Sequence, residues 1–384
     1  MVRQPHPASL LAAVLLTVAA LVLIAPGTGL VAPAAEVSAS PALDAVDLMP
    51  GQPLSISVQH GTIVALSVTD QTGSAVPGQL ATDGSSWSYA GNLGYGKTYT
   101  ATGAAIGADG QVARISGSYR TVKPVEEVTP TIFPGTGDVV GVAAPVIVTL
   151  SSEPADRQAV EDRLQITTTP HVEGSWAWIQ HDGRDGPSLD WRPREYWPSG
   201  TQVHVEVDLF GMDLGGGHFG GAKQVSDFSI GRNQVVLADA TTHQIVVQQD
   251  GHTVATYPAS YGSGDDIGDP NRVTRSGVHV VTDMQETTTM SNPDYGYSGV
   301  TEHWAVRISN NGEFIHQNAD TVDDQGSANV SHGCINLAPA DAEAYFRSAI
   351  YGDPVEVTGT SVQLSEADGD LYDWAIPWDQ WQLR

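Results

Sequence analysis

Between residues 36 and 300 the sequence keeps returning to one pattern: short alternating runs such as "PLSISVQHGTIVALSVTD" and "VHVEVDLFG", each broken by Gly, Pro, Asp or Asn. Alternation puts every second side chain on one face, so such runs read as strands with one side buried. Helix start and stop signals are almost absent here. Strands at this spacing predict β-sandwiches. A weak internal repeat predicts two of them. "SSWSYAGNLGYGKTYTATG" places Gly96 nine residues after Trp87, and "LDWRPREYWPSGTQVHVEV" places Gly200 nine residues after Trp191. An alternating run follows each glycine. The copies lie 104 residues apart, the length of one sandwich domain. "TVKPVEEVTPTIFPG" reads as the joint, so the expected domains are 36–123 and 124–232.

A third unit, expected over 233–359, opens with a hairpin, "HQIVVQQDGHTVATYPASYG", turned at Asp250-Gly251. The runs "GVHVVTD", "HWAVRIS" and "GEFIHQ" follow. The one clear helix signal comes next, with Pro339 in the first turn, Asp341 and Glu343 near its positive end and Gly352 at its close. Tyr345, Phe346 and Ile350 are its expected buried stripe. The aromatic tail "YDWAIPWDQWQLR" ends a C-terminal extension, 360–384, expected to pack on this third unit.

The first 35 residues read differently. Arg3 precedes an uncharged apolar run, and Ala32-Pro33-Ala34 has the shape of a signal-peptidase site. The run from Ala8 to Pro26 is nearly long enough to cross a bilayer. A cleaved signal and an uncleaved anchor both fit. Either places the rest of the chain outside the cytoplasmic membrane, in the cell wall or periplasmic space, with the membrane as a partner only through that anchor. A net charge of −27, from 17 Lys and Arg against 44 Asp and Glu, argues against nucleic acid or anionic lipid as a partner.

An exported chain meets an oxidising environment, where cysteines pair. Here Cys334 is alone. The bland explanation is a buried thiol serving as a small apolar side chain; the sharp one is a reactive thiol. A thiol attacks as thiolate and needs a base within hydrogen-bond reach. His316, ending a strand, and His332, two residues away, are the candidates, and His316 is favoured. Gly333 permits a backbone that a side chain would forbid, aiming the Gly333 and Cys334 amides at one oxyanion. A zinc site made of His316, His332 and Cys334 is the competing arrangement, disfavoured because no further ligand clusters nearby. His171, His181, His204 and His218 are scattered among strands and read as surface residues. No metal or cofactor is expected.

"IHQNADTVDDQGSANVSHGCINLAPADAEAYF" resembles the active-site signature of the YkuD-type L,D-transpeptidases, HX(n)SHGC(I/V/L)(R/N). "DWAIPWDQW" resembles the tail of the subgroup with tandem immunoglobulin-like domains ahead of the catalytic domain. The resemblance implies a mainly β protein: two immunoglobulin-like sandwiches, then a catalytic β-sandwich with one helix after the cysteine. It implies transpeptidation of peptidoglycan stem peptides through a Cys acyl-enzyme, with release of terminal D-alanine, and covalent inhibition by carbapenem-type β-lactams. Position by position, Cys334 is the nucleophile and His316 the base, with Ser331, His332 and Gly333 shaping the pocket. Asn336, Asn311 and Gly312 contact substrate, and Tyr297 and Met290 belong to a flap, "TTMSNPDYGYSGVTEHWA". Gln317 stands where relatives often have Ser or Gly, which leaves a backbone carbonyl or Gln317 Oε1 to orient His316. The usual Thr-Pro-x-Gly is Thr274-Arg-Ser-Gly277. A wall-binding or structural protein with a degenerate catalytic domain is the alternative, and the paired Cys334 and His316 speak against it.

Overall fold

A computed structural model describes residues 32–181, 185–368 and 371–384. The apolar run expected to be a signal or anchor lies outside the described residues. Among the described residues, no helix is long and apolar enough to cross a membrane. The chain divides into two compact units; the second comprises Asp47–Gly51, Asn92–Gly96 and Thr121–Arg384.

The first unit is a sandwich. One sheet runs in the order Glu36–Ser40, Leu54–Gln59, Ser86–Tyr89, Gln79–Leu80, and the other in the order Gly61–Asp70, Thr98–Gly107, Val112–Arg120. Alternation does what it predicts: Leu54, Ile56 and Val58 turn inward with Trp87, Ala101, Ile115 and Tyr119.

The second unit begins with another sandwich. Val139–Val140, Gln224–Ile230, Gln202–Val207 and Leu164–Thr169 form one sheet, and Gly174–Ile179, Ser188–Pro193, Val146–Thr149 and Thr131–Phe133 the other. The repeat has a physical basis. Trp87 and Trp191 are both buried, and Gly96 and Gly200 both hold positive φ, +61° and +79°, in the turn before the next strand. Each indole also lies under a glycine: a Cβ on Gly78 would sit 2.1 Å from the Trp87 ring, and one on Gly174 2.0 Å from the Trp191 ring. Only glycine fits such an approach.

The catalytic part of this unit is a nine-stranded sheet. Its strands are β1 (Gln234–Asp239), β2 (Gln244–Gln249), β3 (His252–Ser260), β4 (Gly277–Val280), β5 (Asp283–Asn292), β6 (Tyr297–Arg307), β7 (Phe314–Gln317), β8 (Ile335–Leu337) and β9 (Pro354–Thr358). Their spatial order is β4-β9-β1-β2-β3-β8-β7-β6-β5. Pairs β1–β9 and β7–β8 are parallel. Val236 and Val355 share one core with Val306 and Ile315 from the far half of the strand order, so the sheet curls over its own apolar face.

Helix α1 (Pro339–Ser348) closes that core with Ala342 and Tyr345, while Phe346 is half-buried against Trp304. It stops at Ala349, short of the expected Gly352. Gly352 instead uses its φ of +87° to cross beside Gly141 of the second sandwich, where a Cβ would fall 2.6 Å from Ala144. Ile350 therefore lies beyond the helix.

The C-terminal extension divides. Its first part stays on the catalytic domain: Leu364 N–H donates to Ser276 O and Arg275 pairs with Asp368 at 3.0 Å. The aromatic part leaves for the second sandwich. Tyr372, Ile376 and Trp381 form a core with Ala177 and Ile179, and the Trp374 and Trp381 indoles donate to Ala143 O and Ser175 O. The expectation that the whole extension packs on the catalytic domain is corrected there. Trp indoles need both apolar cover and a carbonyl, and the sandwich edge supplies both.

Candidate active site

Strands β7 and β8 run parallel in the register Ile315↔Ile335, His316↔Asn336. That pairing brings His316, at the end of β7, beside the residue that precedes β8, Cys334. The crossover between them opens with Asn318, whose Oδ1 accepts from Asp320 N–H and starts a short 3-10 turn at Ala319–Thr321. It closes with the Ser331–Cys334 turn.

That turn is tied from inside and outside. Ser331 Oγ donates to Cys334 O at 2.6 Å and accepts from Gly333 N–H at 3.1 Å. Thr274 Oγ1 donates to Gly333 O at 2.8 Å and accepts from Gly262 N–H at 2.9 Å. Ser331 N–H donates to Tyr261 O and Ser263 N–H to Ser331 O. Gly333 holds φ +128°, which explains the glycine: a Cβ would meet nothing closer than 4.0 Å, so conformation and not space is the constraint. The Gly333 amide faces the Ser331 hydroxyl, which corrects the expected pair of oxyanion donors. Cys334's own amide has no partner among the described residues.

Cys334 is partly exposed, with Sγ 3.5 Å from Gly312 O. His316 is buried. Its Nδ1 lies 2.7 Å from Gln317 O and 3.3 Å from Glu302 Oε2, which leaves Nε2 for Cys334. Burial alone would push the imidazole's pKa down. Hydrogen bonds to Cys334 and Glu302 and their negative charges reverse this and raise it to about 10. A backbone carbonyl rather than Gln317 Oε1 thus faces the ring; the structure assigns it to Gln317, and Glu302 is an additional group. His332 stands apart from His316, its ring 5.4 Å from Tyr297 and 5.5 Å from Tyr295. Among the described residues no three potential metal ligands converge.

Two cavities open on either side of His332. The first, about 240 Å³, is lined by Met290, Tyr297, Glu302, His316, Ser331, Cys334 and Asn336. The second, about 540 Å³, is lined by Arg275, Asn292, Tyr295, Asn311, Gly312, Glu313 and Gly333. Tyr297 therefore faces the thiol, while Tyr295 faces the second cavity under the Arg272 guanidinium, 4.6 Å from its ring. Glu313 is buried behind this wall, accepting from Arg275 N–H at 2.8 Å and Ser309 Oγ at 3.0 Å. Burial raises its carboxyl pKa, with His279 and Arg275 opposing. Asn336 Nδ2 donates to Thr321 Oγ1, and Asn311 Nδ2 to Asp368 Oδ1.

Residues 233–357 match the family described as the L,D-transpeptidase catalytic domain, and residues 45–213 match the bacterial Ig domain. L,D-transpeptidase 5 of Mycobacterium tuberculosis is 45% identical over 349 residues, covering 91% of this chain and 76% of that one. The chain belongs to the L,D-transpeptidase family. L,D-transpeptidase 2 of the same organism is 34% identical over 355 residues, covering 90% of this chain and 84% of its own. Among solved structures, that of the transpeptidase LdtMt1 in complex with imipenem matches with a TM-score of 0.51 at 32% identity, over 61% of this chain and 100% of that one. Enzyme class, mainly β architecture and the Ig-like region ahead of the catalytic domain thus agree with the sequence reading.

The sequence reading missed three residues at this site. Glu302 lies in the flap segment, whose tyrosine and methionine are the residues that the resemblance singles out. Thr274 was noted for the proline that does not follow it, and its own hydroxyl holds the SHGC turn. Glu313 lies directly after Gly312 and gave no signal, because its partners come from positions 275, 279 and 309. Of the four scattered histidines, His181 is not a surface residue: it is buried, 3.0 Å from Asp190.

Proposed function

We propose that this transpeptidase is exported and forms peptidoglycan cross-links between the third residues of neighbouring stem peptides. The supporting observation is His316, buried, hydrogen-bonded to Cys334 and holding its proton to about pH 10. A thiol attacks as thiolate, and a base placed against the sulfur is what that attack requires.

In this reading Cys334 Sγ attacks the carbonyl of the third, diamino-acid residue of a donor stem. The Cys334 amide polarises the developing oxyanion. His316 gives its proton to the departing D-alanine amine, and a thioester remains. The side-chain amine of a second stem then attacks the thioester, its proton passes to His316 Nε2, and the C–S bond breaks to restore thiolate and imidazolium. Two cavities suit a reaction with two peptides. Met290, Tyr297 and Asn336 contact the peptide in one, Asn311 and Gly312 that in the other, and His332 divides them. Gly333 and Ser331 set the turn, and Gln317 orients the base through its backbone. The reaction as written needs no cofactor.

The test is the purified protein with a tetrapeptide-stem muropeptide, followed by mass spectrometry. D-alanine release and a dimer joined between third residues are expected, together with one covalent carbapenem adduct, all absent in Cys334→Ala. Release of D-alanine by Cys334→Ala, or a folded wild type that neither releases it nor takes up carbapenem, would overturn the reading.

A further inference from the structure

We propose that Glu302 is a positioning residue for His316: its carboxylate faces Nδ1 and favours the charged ring, while Nε2 stays free as the base that receives the acceptor's proton. The proposal rests on the thiol mechanism above and adds a group to it. Glu302 Oε2 lies 3.3 Å from His316 Nδ1, and both side chains are largely withdrawn from solvent, 16% and 5% exposed. The carboxylate also lines the cavity that holds Cys334, so it acts where the chemistry happens.

Gln317 O, at 2.7 Å, already accepts from Nδ1 and fixes the tautomer. A neutral carbonyl does that equally well whether the ring is charged or not. A carboxylate discriminates, because it favours the imidazolium. The difference matters in one half of the cycle. In the free enzyme Cys334 also contributes to raising the His316 pKa. In the thioester the sulfur is uncharged, and among the described residues Glu302 is the anion left against the ring. There His316 must accept the acceptor amine's proton, and the C–S bond breaks as the C–N bond forms. Glu302 thus serves the second transfer more than the first.

Other titratable groups around the ring are accounted for. Tyr297 and His332 line the same cavity, and burial with the Arg272 charge holds the His332 pKa below its ordinary value. On the opposite face of β7, Ile315 packs against Tyr345 of α1, whose acids and Arg347 contribute nothing to His316.

The experiment reads the ring directly. In Cys334→Ala, which imitates the uncharged sulfur of the thioester, the His316 ring is titrated by NMR with and without Glu302→Gln. Its pKa should fall by about 1–2 units when the carboxylate is neutralised. Glu302→Asp should recover part of the shift, and Glu286→Gln, an exposed acid on β5, none. In the otherwise wild-type enzyme, Glu302→Gln should lower kcat for dimer formation about tenfold or more with KM nearly unchanged, and slow carbapenem acylation far less. An unchanged His316 titration on Glu302→Gln would overturn the proposal, as would equal losses in acylation and transfer. The titration needs no turnover, so it stands apart from any failure of the transpeptidation assay.

Discussion

His316 and Arg192 are both basic side chains taken out of water, and the chain treats them in opposite ways. Arg192 lies in the second sandwich, with its guanidinium 4.7 Å from the Trp374 and Trp381 rings and 5.3 Å from Trp378. It donates to Ile376 O at 2.7 Å. Burial pushes its pKa down to about 10, and the nearby Asp373 offsets only part of that. His316 starts with the same penalty and ends raised to about 10, because a thiol and a carboxylate face it. Arg192 is stabilised by ring faces and carbonyls, which do not change state. His316 is stabilised by groups that do, and a cavity reaches them. Burial of a cation is therefore no sign of chemistry by itself; titratable partners and access are.

The largest effect that tests this contrast is His316→Ala. Loss of the base should slow both carbapenem acylation and D-alanine release about 10²–10⁴-fold with the fold intact, as followed by stopped-flow and circular dichroism. A loss below tenfold would mean that His332 or solvent activates Cys334, and the contrast with Arg192 would fail.

Arg192→Ala is its mirror. Removing the cation opens the stack of three indoles and leaves Ile376 O without its donor. The expected cost is about 3 kcal/mol of stability in denaturant titration. Carbapenem acylation per folded molecule should stay within about twofold, since nothing in the Arg192 cluster touches the cavity. A steep fall in acylation at full folding would show that the tail controls the site. The tail also makes deletion of residues 36–232 a poor test of whether they only space the catalytic domain. Such a cut strips Ala177 and Ile179 from Trp381 and exposes that surface.

A smaller and slower-changing effect is the pH dependence of stability. His316 releases its proton near 6.5 in the unfolded chain and near 10 in the folded one. The folded state thus binds the extra proton, so its contribution is complete below pH 6.5 and is lost as pH rises through 10. Melting temperature should fall from pH 8 to 10.5 more steeply in wild type than in His316→Gln. Arg192, with its pKa lowered to about 10, acts with the opposite sign, so Arg192→Ala should fall slightly more steeply than wild type near pH 10, never less. Identical slopes in wild type and His316→Gln would mean that the imidazolium is not held.

How much of this was legible follows the range of the interactions. The SHGC turn and its upstream histidine are local, and alternation with paired Trp…Gly spacings exposed the sandwiches. Arg192 gave no signal, because the residues that bury it follow some 180 positions later, at Trp374 to Trp381. The destination of the tail was missed for the same reason: an aromatic run says that something covers it and not what. Glu302 was hidden more subtly. It sits on β6, the strand paired with β7, and the proximity of its carboxylate to His316 depends on a sheet register that no local spacing encodes.

The smallest effect concerns Gln317, the residue that follows the base. Its side chain was one of two candidates for orienting the ring. The group facing Nδ1 is the backbone carbonyl, 2.7 Å away, which every amino acid carries. Gln317→Ala keeps that acceptor and the strand pairing Gln317↔Leu337. Acylation and D-alanine release should therefore fall less than about threefold, within what small packing changes produce. Gln317→Pro would be uninformative, since it alters the backbone itself. Losses at Gln317→Ala approaching those of His316→Ala would assign the orienting role to the side chain.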